Sequence, residues 1–265
     1  MPSSFRRIER PGAPAFLRCD ALTATHAFSL RHGGCSSGPW ESLNLGASAG
    51  DAPECVVRNK QIWADSFEIT PPPLTLHQIH GATVYEVTAH DNSEPGFHRG
   101  DALVNAMSDR AVGVYTADCV PILLSTMDGR VVSAAHAGWR GTAAEVVLSA
   151  LDGMCRFGVH PSEVVVAVGP AIGPCCFAVG QEVIAAFSAQ AWYRPSLVHQ
   201  VNGHTTVDLV LANRLQLEAA GIAAQNIHAS EMCTSCLPSD FFSWRRDKGQ
   251  TGRHLAMIQR RSPGL

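Results

Sequence analysis

The sequence of residues 111–142 reads AVGVYTADCVPILLSTMDGRVVSAAHAGWRGT. Apolar segments with many β-branched residues lie at 111–115, 122–125 and 131–135, and short segments favouring turns separate them. Such segments predict β-strands. The stretch therefore predicts three strands, with Cys119 and His136 where strands give way to turns.

The rest of the chain adds more strands and a smaller number of helices. Strands are predicted at 74–79, 84–87, 164–168 and 255–259. Helices are predicted at 53–67, 181–189 and 208–220, the last capped by Asp208, and at 142–156, where Thr142 and Glu145 match a capping box. Because strands and helices do not alternate strictly, the pattern indicates an α+β fold with mixed sheets.

Composition limits the possible classes of protein. The 265 residues are 46% apolar, which predicts one domain over residues 1–265. A net charge of −3 argues against nucleic acid or an acidic membrane surface as a partner. The apolar runs are too short for a spanning helix, and residues 1–7 lack a secretory signal. We expect a soluble cytoplasmic protein.

Three potential metal ligands each follow a predicted strand: His80, Cys119 and His136. Two imidazoles and one thiolate suit zinc and leave a fourth position for water or substrate. The alternatives are ordinary, since cysteines in apolar segments are mostly core residues and histidines at strand ends are mostly hydrogen-bonded surface groups. His77 also competes with His80 for the same role.

Arg140 and Thr142 follow His136 and suggest a site for an anion. The N–H groups of a helix N-terminus and a guanidinium both bind phosphate. The alternative is an ordinary helix cap, with the arginine stem packed on Trp139.

Nine cysteines, an odd number, do not indicate a disulfide framework. Cys175 and Cys176 lie in a loop punctuated by glycine and proline and are predicted to be structural. Cys233 and Cys236 form a Cys-x-x-Cys pair, but a zinc ribbon needs a second such pair and the chain has none. The basic, aromatic segment 241–253 can hold an anion or stack a base, or it can be a solvated charged turn.

Seven ordered blocks of sequence resemble the YfiH family, often labelled multicopper polyphenol oxidase or laccase and also known as purine nucleoside phosphorylases. They are GGCS (33–36) with SLNLG (42–46), QIHG (78–81), GDAL (100–103), TADCVP (116–121), AHAGWRG (135–141), GPAIGPCC (169–176) and FSWRRD (242–247).

The resemblance implies a zinc site made by His80, Cys119 and His136. It implies layered mixed sheets flanked by helices, in a cysteine-hydrolase-type α+β fold similar to that of bacterial cytotoxic deamidase domains. It also implies phosphorolysis of adenosine, inosine, guanosine and methylthioadenosine, together with deamination of adenosine. Purine nucleosides and phosphate are therefore the expected partners, and the oligomeric state is left open.

Each reaction suggests roles for further residues. For deamination, zinc would lower the pKa of a water, and Asp118 is the candidate general acid/base, although its neighbour Cys119 would face the opposite side of an extended strand. For phosphorolysis, Arg140 and Thr142 are the first phosphate candidates. Arg245 and Arg246 are the second.

Three other functions stay open. A multicopper oxidase typically gathers copper with paired His-x-His segments, and none of the twelve histidines lies two residues from another, although copper could occupy the single site. A cysteine hydrolase would use Cys119 as nucleophile and His136 as its base. A binding module without catalysis would leave adenosine and phosphate unchanged.

Overall fold

A computed structural model of the protein describes residues 4–47 and 50–261. Met1–Ser3, part of the segment considered for a secretory signal, lie outside the described residues. Within the described residues the chain forms a five-stranded sheet, a six-stranded sheet and a separate two-stranded sheet. The prediction of several sheets with few helices is confirmed. The cysteine-hydrolase-type label for the fold stays a prediction.

The described strands and helices follow one another along the chain with these bounds. The strands are β1 (Phe5–Arg10), β2 (Ala13–Cys19), β3 (Thr25–Ser29), β4 (Val84–Val87), β5 (Ala102–Asn105), β6 (Val112–Thr116), β7 (Val120–Thr126), β8 (Val132–Ala137), β9 (Val164–Val168), β10 (Val198–Val201), β11 (His204–Val207), β12 (Ile227–Ala229) and β13 (His254–Gln259). The α-helices are α1 (Pro53–Asp65), α2 (Trp139–Ala143), α3 (Val146–Cys155), α4 (Gln181–Ser188) and α5 (Leu209–Ala219). Among the residues placed here, no helix combines the length and apolar character that crossing a membrane requires.

The six-stranded sheet carries the centre of the molecule. Its order is β12-β9-β7-β8-β5-β4, with parallel pairs at both edges and antiparallel pairs between β9, β7, β8 and β5. The five-stranded sheet is antiparallel, in the order β1-β2-β3-β13-β6. The prediction of mixed pairing is therefore confirmed.

Alternation along the strands explains how the layers stack. On β7, Ile122 and Leu124 pack with the helices α3 and α5, whereas Leu123 packs with residues of the five-stranded sheet. On β13, Ile258 faces the six-stranded sheet, whereas Met257 packs with Trp63 of α1. Because successive strand residues point to opposite faces, a strand buried on both sides is apolar throughout. The order of layers is helix, sheet, sheet, helix.

Two predicted elements differ from the structure. The strand predicted at 74–79 is wrong, since this segment makes only isolated bridges at Leu74 and His77. The helix predicted from Thr142 is also wrong: α2 already begins at Trp139, and a left-handed Glu145 (φ 60°) separates it from α3. Thr142 is not a cap because it lies inside α2, where its hydroxyl accepts a hydrogen bond from Asn213 of α5 (3.0 Å).

Candidate metal centre

His80, Cys119 and His136 converge at one end of the six-stranded sheet. The pairing of β7 with β8 sets Val120 opposite Ala137, which places Cys119 next to His136. The imidazoles of His80 and His136 stand edge to face, with ring centroids 4.9 Å apart. One ligand atom from each of the three residues lies within 4.8 Å of the other two. The structure therefore brings together the three residues that the sequence singled out, in a group able to hold a metal ion.

Asp101, which directly precedes β5, supports two of these three residues. Its fully buried carboxylate accepts a hydrogen bond from His136 Nδ1 (2.9 Å). It also accepts the backbone N–H groups of Ile79, His80 and Gly81, at 2.7 to 3.2 Å. The first contact leaves His136 Nε2 free to bind a metal, and the others hold His80 in its left-handed conformation (φ 58°). Asp101 belongs to the GDAL block (100–103), but nothing in its local sequence indicates this supporting role.

Gly138 packs directly against Cys119 and His80. A Cβ atom at this position would lie 3.0 Å from Cys119 Sγ and 3.2 Å from His80 Cδ2. The backbone here (φ −74°) suits any residue, so the requirement for glycine is steric.

We expect Gly138→Ala to lower metal affinity, because the added methyl group pushes Cys119 and His80 apart. Metal content after dialysis against a weak chelator measures the effect. Gly12→Ala is the control, since a Cβ there meets nothing within 4 Å. It introduces strain at a left-handed position (φ 72°), so a small loss of stability with full metal content is expected. Equal metal retention in both variants would contradict the steric role.

The charges of Cys119 and His136 depend on each other. Burial raises the pKa of the Cys119 thiol, but the His136 imidazolium and hydrogen bonds from His136 and His80 outweigh it and lower that pKa to about 6. Burial lowers the pKa of His136, but the Cys119 thiolate and the Asp101 carboxylate raise it to about 9. Without a metal the pair is thus a thiolate beside an imidazolium near neutral pH.

This pairing predicts the reactivity of the metal-free protein. Cys119 should react with iodoacetamide down to about pH 6 and lose its reactivity below, where the thiolate takes up a proton. An ordinary thiol, with a pKa of about 8.5, already loses its reactivity as the pH falls below that value. Peptide mapping by mass spectrometry measures the rates, with the exposed Cys35 as internal reference. A rate for Cys119 that falls off near pH 8.5 would contradict the assigned charges.

Asp118, the predicted general acid/base, is engaged elsewhere. Its carboxylate accepts hydrogen bonds from Thr234 Oγ1 (2.6 Å) and from the backbone N–H of Arg245 (2.7 Å). Its backbone carbonyl accepts the N–H of Ile172 (2.9 Å), and its φ of 93° is left-handed. The residue ties three loops to the segment that carries Cys119.

The predicted phosphate contacts are not grouped as the sequence suggested. Thr142 is fully buried inside α2, and its carbonyl accepts a hydrogen bond from Gln216 (2.9 Å). The predicted anion site at a helix beginning at Thr142 therefore loses its geometric basis. Arg140 is exposed, and its guanidinium lies over the ring of Trp139, 4.3 Å from the centroid.

The basic residues of the segment 241–253 differ in how they are held. Arg246 forms two hydrogen bonds to Asp247 and donates to the carbonyls of Thr234 and Phe241, so its guanidinium is occupied. Arg245 is exposed and donates to the carbonyl of Ala178 (2.7 Å).

Arg253 is a basic residue whose charge interacts with that of Cys119. Burial lowers its pKa, and the charges of Cys119 and Asp118 oppose that effect. Its guanidinium lies 4.9 Å from the ring centroid of Trp244, whose side chain is exposed. A cation and an exposed aromatic ring thus lie together in the segment 241–253, which the sequence marked as able to hold an anion or stack a base.

Comparisons with known proteins place the chain in a family. The family model described as multi-copper polyphenol oxidoreductase laccase matches residues 25–261. Purine nucleoside phosphorylase YlmD of Geobacillus stearothermophilus is 38% identical over 98% of both chains, and its crystal structure superposes with a TM-score of 0.88, covering 98% of this chain and 100% of that one at 35% identity. Purine nucleoside phosphorylase YfiH of Escherichia coli is 36% identical over 87% of this chain and 91% of the relative. The chain therefore belongs to the multi-copper polyphenol oxidoreductase laccase family, the family of YfiH and YlmD.

Proposed function

We propose that this chain is a metal-dependent purine nucleoside phosphorylase. Adenosine, inosine, guanosine and methylthioadenosine are the proposed substrates, and deamination of adenosine is a proposed second reaction at the same centre. The proposal rests on the convergence of His80, Cys119 and His136 in a chain whose relatives carry the name purine nucleoside phosphorylase.

Zinc is the proposed metal because the donors fit it. His136 offers Nε2 while Nδ1 donates to Asp101, and Cys119 is a thiolate at neutral pH. Two imidazoles and a thiolate occupy three positions of a tetrahedron and leave one open, as in catalytic zinc sites. Bound there, zinc would supply Lewis-acid chemistry to the substrate. Copper also accepts these donors and is the alternative.

In phosphorolysis the bond between the ribose C1′ and the purine nitrogen breaks, phosphate oxygen bonds to C1′, and the purine leaves with a proton. Exposed and half-buried cations and one exposed aromatic ring offer contacts for the two reactants. Arg253 and the exposed Arg140 are the proposed phosphate contacts, and Arg245 is a further cation on the same segment as Arg253. The exposed face of Trp244 is the proposed stacking surface for the base.

Asp118 is proposed to position Cys119 instead of transferring a proton. Both oxygens of its carboxylate already accept hydrogen bonds from other loops.

Incubation of the purified protein with adenosine, with and without phosphate, tests the proposal. Chromatography should resolve adenine when phosphate is present and inosine when it is absent. Cys35→Ser should behave like the parent, because Cys35 is exposed and outside the centre. Adenosine that persists unchanged in both mixtures would contradict the proposal and favour a binding module.

A cysteine hydrolase is the second candidate, and one observation favours it. Cys119, His136 and Asp101 form a chain of thiolate, imidazolium and carboxylate of the kind that activates a nucleophile. Metal analysis separates the two functions. Loss of metal and activity together in His80→Ala supports the metal enzyme, whereas full activity in chelator without bound metal supports the hydrolase.

A further inference from the structure

Four cysteines form a second cluster, away from the three ligands described above. Cys175 and Cys176 lie in the loop after β9, and Cys233 and Cys236 lie in the loop after β12. Their four Sγ atoms all lie within 4.8 Å of one another. Cys236 Sγ is 3.5 Å from Cys175 Sγ and 3.4 Å from Cys176 Sγ. Two loops from neighbouring parallel strands thus each contribute a pair of thiols to one point.

We propose that these four cysteines bind a zinc ion. In a tetrahedral Cys₄ site with Zn–S bonds of about 2.3 Å, the sulfur atoms lie roughly 3.8 Å apart. A disulfide brings two sulfur atoms to about 2.05 Å. The two Cys236 separations of 3.5 and 3.4 Å are far nearer to that edge than to a disulfide bond, and four sulfur donors without oxygen or nitrogen suit a structural zinc ion.

The surrounding backbone holds the sulfur atoms in place. The N–H of Gly173 donates to Cys233 Sγ (3.2 Å), an outer hydrogen bond of the kind that orients metal ligands. Arg246 donates to the carbonyls of Thr234 (3.0 Å) and Ser235 (3.5 Å), which fixes the turn between Cys233 and Cys236. These contacts order the ligand loops before a metal arrives.

The site can be reached from the surface. Cys175 and Cys236 are exposed, and Cys175 and Cys233 line a cavity of about 320 Å³. Each thiol would release its proton to solvent as it binds, and zinc stays divalent throughout. Because four protein ligands fill the tetrahedron, no position is open to a substrate and the site is structural.

The position of the cluster indicates what the zinc stabilises. Thr234, between two of the cysteines, donates to the Asp118 carboxylate (2.6 Å), and Ile172, next to Gly173, donates to the Asp118 carbonyl (2.9 Å). Both ligand loops therefore hold the residue that directly precedes Cys119. A zinc ion bound by the four cysteines would stabilise these two loops and, through Asp118, the position of Cys119.

Metal analysis of the full-length protein, purified without chelators, tests the proposal. The wild type should contain about two zinc ions per chain. Cys236→Ser should lose one of them and melt at a lower temperature, while His80→Ala should lose the other one. Cys35→Ser, a change at an exposed cysteine outside both clusters, should retain both.

X-ray absorption at the zinc edge on His80→Ala identifies the remaining ligands, and it needs no change in the cluster. Four sulfur ligands at about 2.3 Å are expected. A single zinc ion in the wild type that is kept in full by Cys236→Ser would overturn the proposal. So would nitrogen ligation in His80→Ala, iron in place of zinc, or intact-mass evidence that the cluster thiols have lost their hydrogens to disulfides.

Discussion

Replacing Cys119 by alanine should abolish phosphorolysis almost completely. The substitution removes the only thiolate among the three candidate ligands and leaves two imidazoles to hold the metal. Loss of an outer hydrogen-bond partner already costs about 10- to 100-fold in metal affinity or activity, so loss of a ligand should cost more. The kcat/KM for inosine in saturating phosphate measures the effect, together with the metal content of the same sample.

The fold should survive this change. Asp118 keeps its hydrogen bonds to Thr234 and Arg245, which hold the segment in place independently of the thiol. The circular dichroism spectrum of Cys119→Ala should match that of the wild type, and Cys35→Ser serves as the control for removing a thiol. Wild-type kcat/KM in a well-folded Cys119→Ala protein would contradict the assignment of the centre.

Replacing Asp101 by asparagine should lower metal affinity by about 10- to 100-fold. The amide has a single oxygen, so it cannot accept all the hydrogen bonds that His136 and the backbone at 79–81 donate to the carboxylate. It also removes the negative charge that favours the His136 imidazolium in the metal-free protein. The rate of metal release to a chromophoric chelator measures the affinity loss directly.

Stability provides a second measurement on the same variant. Asp101 is fully buried, and an unsatisfied buried donor costs about 1–3 kcal/mol. The melting temperature of Asp101→Asn should therefore fall even without metal. Asp152→Asn, at an exposed position of α3, is the matched control and should change neither quantity. Metal release as slow as in the wild type would show that Asp101 does not support the ligands.

Local sequence predicted those parts of the fold where apolar residues are continuous. β6, β7, β8 and β9 are buried on both faces, so their composition alone marks them as strands. β1, with the sequence FRRIER, is an edge strand with exposed arginines and carries no such signal. The capping box predicted at Thr142 fails for another reason. The helix α2 already begins at Trp139, and Thr142 is buried against Asn213 of α5, a contact that no local pattern reveals.

The same distinction applies to the site. His80, Cys119 and His136 were found because ligand-type residues followed predicted strands and matched family blocks. Asp101 was missed because its four donors come from two distant parts of the chain. No local pattern predicts the four-cysteine cluster. Its two halves are an adjacent pair, Cys175 and Cys176, and a Cys-x-x-Cys pair some 60 residues further along the chain.

The family's description as a multi-copper laccase implies several copper centres. Within the described residues, the groups of three or more histidine, cysteine and carboxylate side chains able to hold a metal are the His80 centre and the four-cysteine cluster. The His80 centre offers three protein ligands, and the cluster offers thiols alone. Neither group among the described residues is a multinuclear histidine site of the kind that this description implies.

The proposed reaction of this centre is transfer of the ribose of a purine nucleoside to phosphate. Phosphorus NMR of inosine and phosphate, incubated with the wild type and with His80→Ala, tests it most directly. The wild type should convert phosphate to ribose 1-phosphate in step with the release of hypoxanthine, and His80→Ala should do neither. Hypoxanthine released while phosphate stays unchanged, or equal ribose 1-phosphate formation by both proteins, would contradict the claim.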